Sequence, residues 1–145
     1  MQVYLEPAKN GLKKTLNITL LLAKIILPVT LVVTFLEGTG LLHSVSQFFH
    51  PALGIFGLPG EAALPLLLGF FINIYAAMGA IAVLSLSSQE VTVIALIILT
   101  SHSLLMEAPV LSFTGLGPHR SIPLRIGLGL LFGFLLNVFY TLLGG

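Results

Sequence analysis

The chain has 145 residues, of which 57% are hydrophobic and 8% charged, with a net charge of +1 and a mean hydropathy of +1.10. A soluble domain has about 25% charged residues, so this composition predicts an integral membrane protein. The chain has no cysteine, which excludes disulfides, Cys-ligated zinc, iron–sulfur clusters and thiol nucleophiles. It shows no basic patch of the kind that binds nucleic acid. Its length predicts one bundle of roughly four or five spans of ~20 residues each.

The N-terminal residues 1–14 are predicted to form an interfacial segment, because three lysines stand there among apolar residues. A frayed tail is the alternative. Pro7 and the Asn10-Gly11 pair are expected to break any helix in this segment. The apolar run that follows is too long for a cleavable signal. Residues 15–145 are then predicted to form a single transmembrane domain.

The first span is predicted over residues 16–36, and Lys24 lies near its middle. A charge at that depth is costly in lipid and by default indicates a functional role. The alternative is that the long side chain snorkels to the nearer interface. A functional Lys24 could neutralise one of the glutamates.

The next stretch, residues 41–56, is too short and too polar for a confident span, so we expect a half-helix or an interfacial helix. His43 and His50 are seven residues apart and share a helix face. No third ligand is near them in the sequence, so the pair is weak as a metal site.

The central segment, residues 57–80, is apolar enough for lipid, yet it opens with Gly-Leu-Pro-Gly and carries Glu61, Asn73 and Tyr75. Lipid offers the backbone no hydrogen bonds, so a broken helix at membrane depth survives only inside protein or beside a wet cavity. Discontinuous helices of this kind form the substrate sites of many transporters. The alternative is a plain spanning helix over residues 64–86, with Glu61 capping its start.

Ser87 and Glu90 match the capping-box pattern that starts a helix, so the next span is predicted over residues 91–110. On a continuous helix Ser103 and Glu107 lie on one polar stripe, whereas His102 lies about 140° from Glu107 and need not share its face. Polar groups so close together in a span cost free energy unless they are hydrogen-bonded to one another or exposed to water. They indicate either a functional site or a satisfied interhelical network.

The last span is predicted over residues 122–143, where Gly129, Gly133 and Asn137 recur every fourth residue. Small residues at this spacing allow helices to approach closely in membranes. The stripe is interpreted as structural packing or as the seam of a dimer.

Basic residues give conflicting signals about orientation. Lys9, Lys13 and Lys14 place the N-terminus in the cytoplasm, but four simple spans would put Arg120 and Arg125 outside. A re-entrant hairpin within residues 41–86 would bring the arginines inside. Alternatively, the protein inserts both ways and pairs as an inverted dimer, which would supply the inverted symmetry found within larger transporters.

Three motifs resemble the nucleoside-recognition or Gate domain family. They are Gly57-Leu58-Pro59-Gly60-Glu61, Asn73-Ile74-Tyr75-Ala76-Ala77 and His102-Ser103-x3-Glu107-Ala108-Pro109. That family includes the spore maturation proteins and is related to concentrative nucleoside transporters and to the gate segments of ferrous-iron transporter B. The resemblance implies that acidic and amide residues at broken helices bind a nucleoside-like solute. The candidate binding residues are Glu61, Asn73, Tyr75, His102, Ser103 and Glu107.

The predicted protein is therefore an all-α, multi-pass protein of the cell inner membrane, with about four spans and a broken, re-entrant or interfacial half-helix. Its predicted function is transport or half-transport of a small polar solute, as a homodimer that could be inverted, or with a related membrane subunit. The alternatives are a metal-ion gate using His102 and Met106, ferrous-iron-like by resemblance, and a membrane scaffold. No enzyme is predicted, because neither H-E-x-x-H nor G-x-S-x-G occurs. No cofactor is predicted, and a coupling cation is left open.

Overall fold

A computed structural model describes residues 2–113, 115 and 117–144 of the chain. It is 85% helical and has no strand in that part of the chain, which confirms the all-α class. Three helices are long and apolar enough to span a membrane, and a bent helix pair gives a fourth candidate. The helices are α1 Gln2–Gly38, α2 Leu41–Leu53, α3 Ala63–Phe71, α4 Ile74–Ile81, α5 Ser88–Ser101, α6 Leu104–Ser112 and α7 Pro118–Leu142.

Helix α1 is continuous, so the predicted break at Pro7 and Asn10-Gly11 is wrong. Both Pro7 and Pro28 lie inside it. Helix propensity is a weak prior, and the leucine, alanine, glutamate and lysine residues around Pro7 and Gly11 favour the helix. A helix of 37 residues is about 55 Å long, well beyond a hydrocarbon core of about 30 Å. The interfacial placement of residues 1–14 stays a prediction.

A bend of 94° separates α2 from α3, and the helix breakers at residues 57–60 lie there as predicted. Gly57 has a φ of +67°, a left-handed conformation that favours glycine, and its Cα faces the Asn137 side-chain oxygen. The Asn137 amide donates to the carbonyl of Ile55 at 3.2 Å. Gly60 packs directly against the backbone carbonyl of Ser46. Helix α7 therefore holds the bend, and α2 lies across the end of the bundle.

The central segment forms two short helices, so the plain spanning helix over residues 64–86 is wrong. Helix α3 ends at Phe71, and Asn73 has an extended backbone whose side chain caps α4 by accepting from the Ala76 N–H at 2.9 Å. The two helices have nine and eight residues, about 13 and 12 Å, and neither can cross a bilayer alone. They pack against each other as a helical hairpin.

Contacts along α7 fix the direction of the other elements. Gly129 lies against Thr100 and Gly133 against Val93, so α7 and α5 are antiparallel. Helix α3 starts from the bend beside Asn137 and ends near the end of α5, so it runs parallel to α5. Because α2 lies across the bundle, α1 ends on the side where α3 begins.

The starts of α1 and α7 therefore lie at the same end of the bundle, which agrees with the re-entrant hairpin and brings Lys14 and Arg120 to that end. The charge bias no longer calls for an inverted pair. Gly129 and Gly133 are buried against α5 of the same chain, so their interpretation as a dimer seam is wrong. A dimer through another surface stays a prediction.

We expect Gly60→Ala to destabilise the protein by at least about 2 kcal/mol, because a Cβ there meets the Ser46 backbone, which cannot rotate away. Gly54→Ala is the matched control, since it flanks the same bend with nothing within 4 Å. Thermal unfolding in detergent measures both. Equal melting temperatures for the two variants would contradict the packing of the bend.

The cysteine-free chain also permits a clean test of topology. Single cysteines replacing Gly11 and His119 are expected to react with an impermeant maleimide from the same membrane face, and one replacing Ser88 from the opposite face. Labelling of residues 11 and 119 from opposite faces would rule out the re-entrant hairpin.

Candidate functional site

Residues Ser88–Glu107 are long and apolar enough to span a membrane, which agrees with the span predicted over residues 91–110, but the helix is interrupted within them. Helix α5 ends at Ser101, His102 is extended, and α6 begins at Leu104. Ser103 has a φ of +50°, the one positive φ at a non-glycine position in the described part of the chain. Its carbonyl accepts the N–H groups of Met106 and Glu107, both at 3.0 Å, which holds this uncommon conformation in place.

The two breaks meet through one backbone hydrogen bond. At the end of α3 the N–H groups of Ile72 and Asn73 both donate to Leu68, which frees the carbonyl of Gly69. The Ser103 N–H donates to that carbonyl at 2.9 Å. Gly69 permits the approach, since a Cβ there would lie 2.9–3.0 Å from the Ile98 side chain. The motif around Asn73 and the motif around Ser103 are thus joined at this point.

Arg125 of α7 binds the second break with all three guanidinium nitrogens. Nε donates to the carbonyl of Thr100 at 3.2 Å, and Nη2 donates to that of His102 at 3.3 Å. Nη1 pairs with Glu107 Oε2 at 2.8 Å. These carbonyls lie at the C-terminal end of α5, where orphan acceptors and the negative end of the helix dipole favour a cation. We name Gly69, His102, Ser103, Glu107 and Arg125 the crossing site.

Glu107 also binds the imidazole of His102, with Oε1 3.2 Å from Nδ1. Because a carboxylate only accepts, Nδ1 donates, and Nε2 of a neutral ring is then an acceptor. The side chains of His102 and Glu107 are 32% and 41% exposed, so both can be reached. On an ideal helix the two residues need not share a face, but the break between them brings their side chains together.

The other predicted residues are placed less closely. Asn73 caps α4 one turn from Gly69, and its amide nitrogen has no hydrogen bond within the described residues. Tyr75 is 41% exposed, and its hydroxyl likewise has no partner there. Glu61 lies in the turn before α3, and the whole of that helix, about 13 Å long, separates it from the break, so it lies apart from the crossing site. Solute binding by these residues stays a prediction.

Arg125 is the residue that sequence reasoning missed. The charge partner of Glu107 is Arg125 and not Lys24, which is exposed on α1. The available signal was an arginine eight residues into an apolar helix, close to the depth expected for Glu107. An ionisable group inside a span calls for a named partner, and the sequence offered this one.

No observation favours the metal-gate alternative. Within the described residues no three His, Asp or Glu side chains come together as metal ligands. His43 bonds Gln47 at 3.0 Å, and Met106 points away from the bundle with 73% of its surface exposed. The helix break also removes the regular i, i+4 relationship between His102 and Met106.

Comparisons with known proteins give two matches. The family model described as nucleoside recognition, or Gate, matches residues 19–116, which include both breaks and end before α7. The uncharacterized membrane protein YvoD of Bacillus subtilis (strain 168) is 36% identical over 130 residues, covering 90% of this chain and 42% of that protein. The chain thus spans less than half the length of this relative. No solved structure matches the chain significantly.

We expect Arg125→Met to lower the free energy of unfolding by about 2–4 kcal/mol, because it leaves the Oε2 atom of Glu107 and two backbone carbonyls without their donor and removes the positive charge that balances Glu107. Arg120→Met on the same helix is the control and should change stability by about 0.5 kcal/mol or less, since Arg120 is exposed. Unfolding in detergent measures both variants.

The double variant Glu107→Gln with Arg125→Met is expected to lose less stability than the sum of the two single losses, by roughly 0.5–3 kcal/mol. Strict additivity would show that the two side chains do not act as a pair.

Proposed function

Because the chain belongs to the nucleoside-recognition (Gate) family, we propose that it recognises a small polar, nucleoside-like solute within the cell inner membrane and takes part in its transport. The solute binds at the crossing site. The observation that carries this proposal is that two interrupted helices meet there and present partly exposed polar side chains. Backbone that is irregular at membrane depth is typical of substrate sites in transporters.

The free atoms of the crossing site suit a solute that both donates and accepts hydrogen bonds. Glu107 and the His102 Nε2 accept, while the Ser103 hydroxyl can do either. The unpaired Asn73 amide and the exposed Tyr75 hydroxyl lie on the neighbouring helix and can extend the site. A nucleoside offers hydroxyl and ring N–H donors together with carbonyl and ring-nitrogen acceptors.

Charge balance favours a neutral solute. Arg125 and Glu107 form an ion pair whose charges cancel, and His102 adds a charge only when protonated. A charged solute would bring an unpaired charge to this depth, which is expensive. Nucleosides and bases fit this balance better than nucleotides.

The described part of the chain supplies three long spans and one helical hairpin. This is a small number of membrane segments for a transporter that works by alternating access. Transporters of this broken-helix type move one repeat against another. We therefore assign transport to an assembly with a second membrane domain, either a second copy or a related subunit. A scaffold without a solute is the competing function, and the binding experiment below separates the two.

We expect one or more of a panel of uncharged nucleosides and bases to raise the melting temperature of the purified protein. A ligand at 100 times its Kd stabilises the folded state by about 2.7 kcal/mol. Glu107→Gln should abolish the shift, because it removes the carboxylate acceptor. Glu37→Gln is the control, since Glu37 is exposed at the end of α1.

Unchanged melting with every member of the panel, together with no uptake by proteoliposomes, would favour the scaffold. A shift that Glu107→Gln leaves intact would place the solute elsewhere.

A further inference from the structure

Lys24 is a charged residue near the middle of the predicted membrane span of α1. Its side chain has no ion-pair or hydrogen-bond partner in the described part of the chain. It lies ten residues from Lys14 and thirteen from Glu37, or about 15 and 20 Å along α1. A lysine side chain reaches roughly 6 Å, so snorkelling does not bring the ammonium to either end. Only 6% of the most apolar stretch of α1 is buried inside the protein.

Lys24 points away from the bundle. The inner face of α1 is marked by Ile26 and Val29, which contact Gly79 of α4, and by Val33, which is 1% exposed. Lys24 precedes Ile26 by two residues and so lies about 160° round the helix from it. It therefore cannot be satisfied by α4 or the crossing site.

An apolar stripe surrounds Lys24 on this outer face. Leu20, Leu27 and Leu31 are 60%, 61% and 72% exposed, and with Lys24 they occupy positions i, i+4, i+7 and i+11. This is the spacing of one helix seam. We name these four residues the outer stripe of α1.

We propose that the outer stripe is an interface for a membrane span of a different protein domain, which places a carboxylate beside Lys24. An ionisable group inside the bilayer is retained where another charge pairs with it. This inference rests on the proposed function in one respect: it identifies the second membrane domain of the assembly and the surface where it binds.

A second copy of this chain does not supply the carboxylate. The sequence has five acidic residues, all glutamates. The one inside the bundle's polar site is Glu107, and its negative charge is already balanced by Arg125 of the same chain. The others lie near helix ends or the bend: Glu6, Glu37, Glu61 and Glu90. A partner with a free Asp or Glu at mid-span fits instead.

The relative from Bacillus subtilis is consistent with a larger assembly. The stretch matching this chain is 42% of that protein, so there it is joined to further sequence.

A defined probe tests the chemistry of the stripe. The full chain is placed in vesicles of phosphatidylcholine with a dye-labelled, Leu-rich 21-residue helix that carries one central Glu, or Gln in its matched control. Energy transfer between a donor dye on the protein and the dye on the helix should show at least roughly fivefold tighter association with the Glu helix than with the Gln helix. The preference should vanish in Lys24→Met and persist in Lys24→Arg. Equal association of both helices with the wild type overturns the proposal.

Photo-cross-linking in native membranes tests the identity of the partner. A photoreactive residue replaces Leu27 on the outer stripe, or Val33 on the inner face as control. Support requires an adduct at Leu27 with another membrane polypeptide whose cross-linked span contains Asp or Glu, and its loss in Lys24→Met. Adducts confined to lipid, or to a second copy of the chain, overturn the proposal. The nucleoside-induced melting shift, measured on the same preparation, reports on the proposed function separately.

Discussion

The structure depends on one constraint: backbone groups released by a helix break inside the bilayer must find partners in the protein. The break after α3 releases the carbonyl of Gly69, and the break after α5 leaves the N–H of Ser103 without a helical partner. These two groups bind each other at 2.9 Å. Two carbonyls at the end of α5, those of Thr100 and His102, accept hydrogen bonds from Arg125. Each interruption is therefore tolerable only because the other interruption, and α7, stand beside it.

One face of α7 links this constraint to the packing of the whole bundle. Its contact positions recur every fourth residue: Ser121, Arg125, Gly129, Gly133 and Asn137. The two glycines let α7 approach α5 closely, and that approach brings the guanidinium to the end of α5. At the far end, Asn137 holds the bend that starts the hairpin. Steric packing and charge satisfaction are thus encoded on a single stripe, and a shift in the register of α7 would disturb both breaks.

Local signals in the sequence predicted local structure well. The capping box is present with both hydrogen bonds, 2.6 Å from the Ser87 N–H to Glu90 and 3.3 Å from the Glu90 N–H to Ser87. The bend at residues 57–60 lies where glycine and proline indicated. The features that depend on tertiary interactions were not predicted. On an ideal helix His102 lies well away from Glu107. The break at Ser103 brings them together, and nothing nearby in the sequence shows that a carbonyl on α3 will stabilise this break. The pairing of Glu107 with Arg125 was missed because Arg125 is distant in the chain, and helix geometry relates only residues that are close in sequence.

Arg125 and Lys24, two cationic residues within predicted spans, differ in whether the chain itself supplies partners for their charge. Arg125 is 19% exposed, and its nitrogens are bound to groups of the same chain, so the crossing site is electrostatically complete without a partner. Lys24 has the same charge and no such surroundings. Since the hydrocarbon core penalises both charges alike, the difference between them lies in what the chain supplies on each side. It builds its polar site in full between α3, α5, α6 and α7, and it leaves the outer face of α1 to be completed by another membrane span.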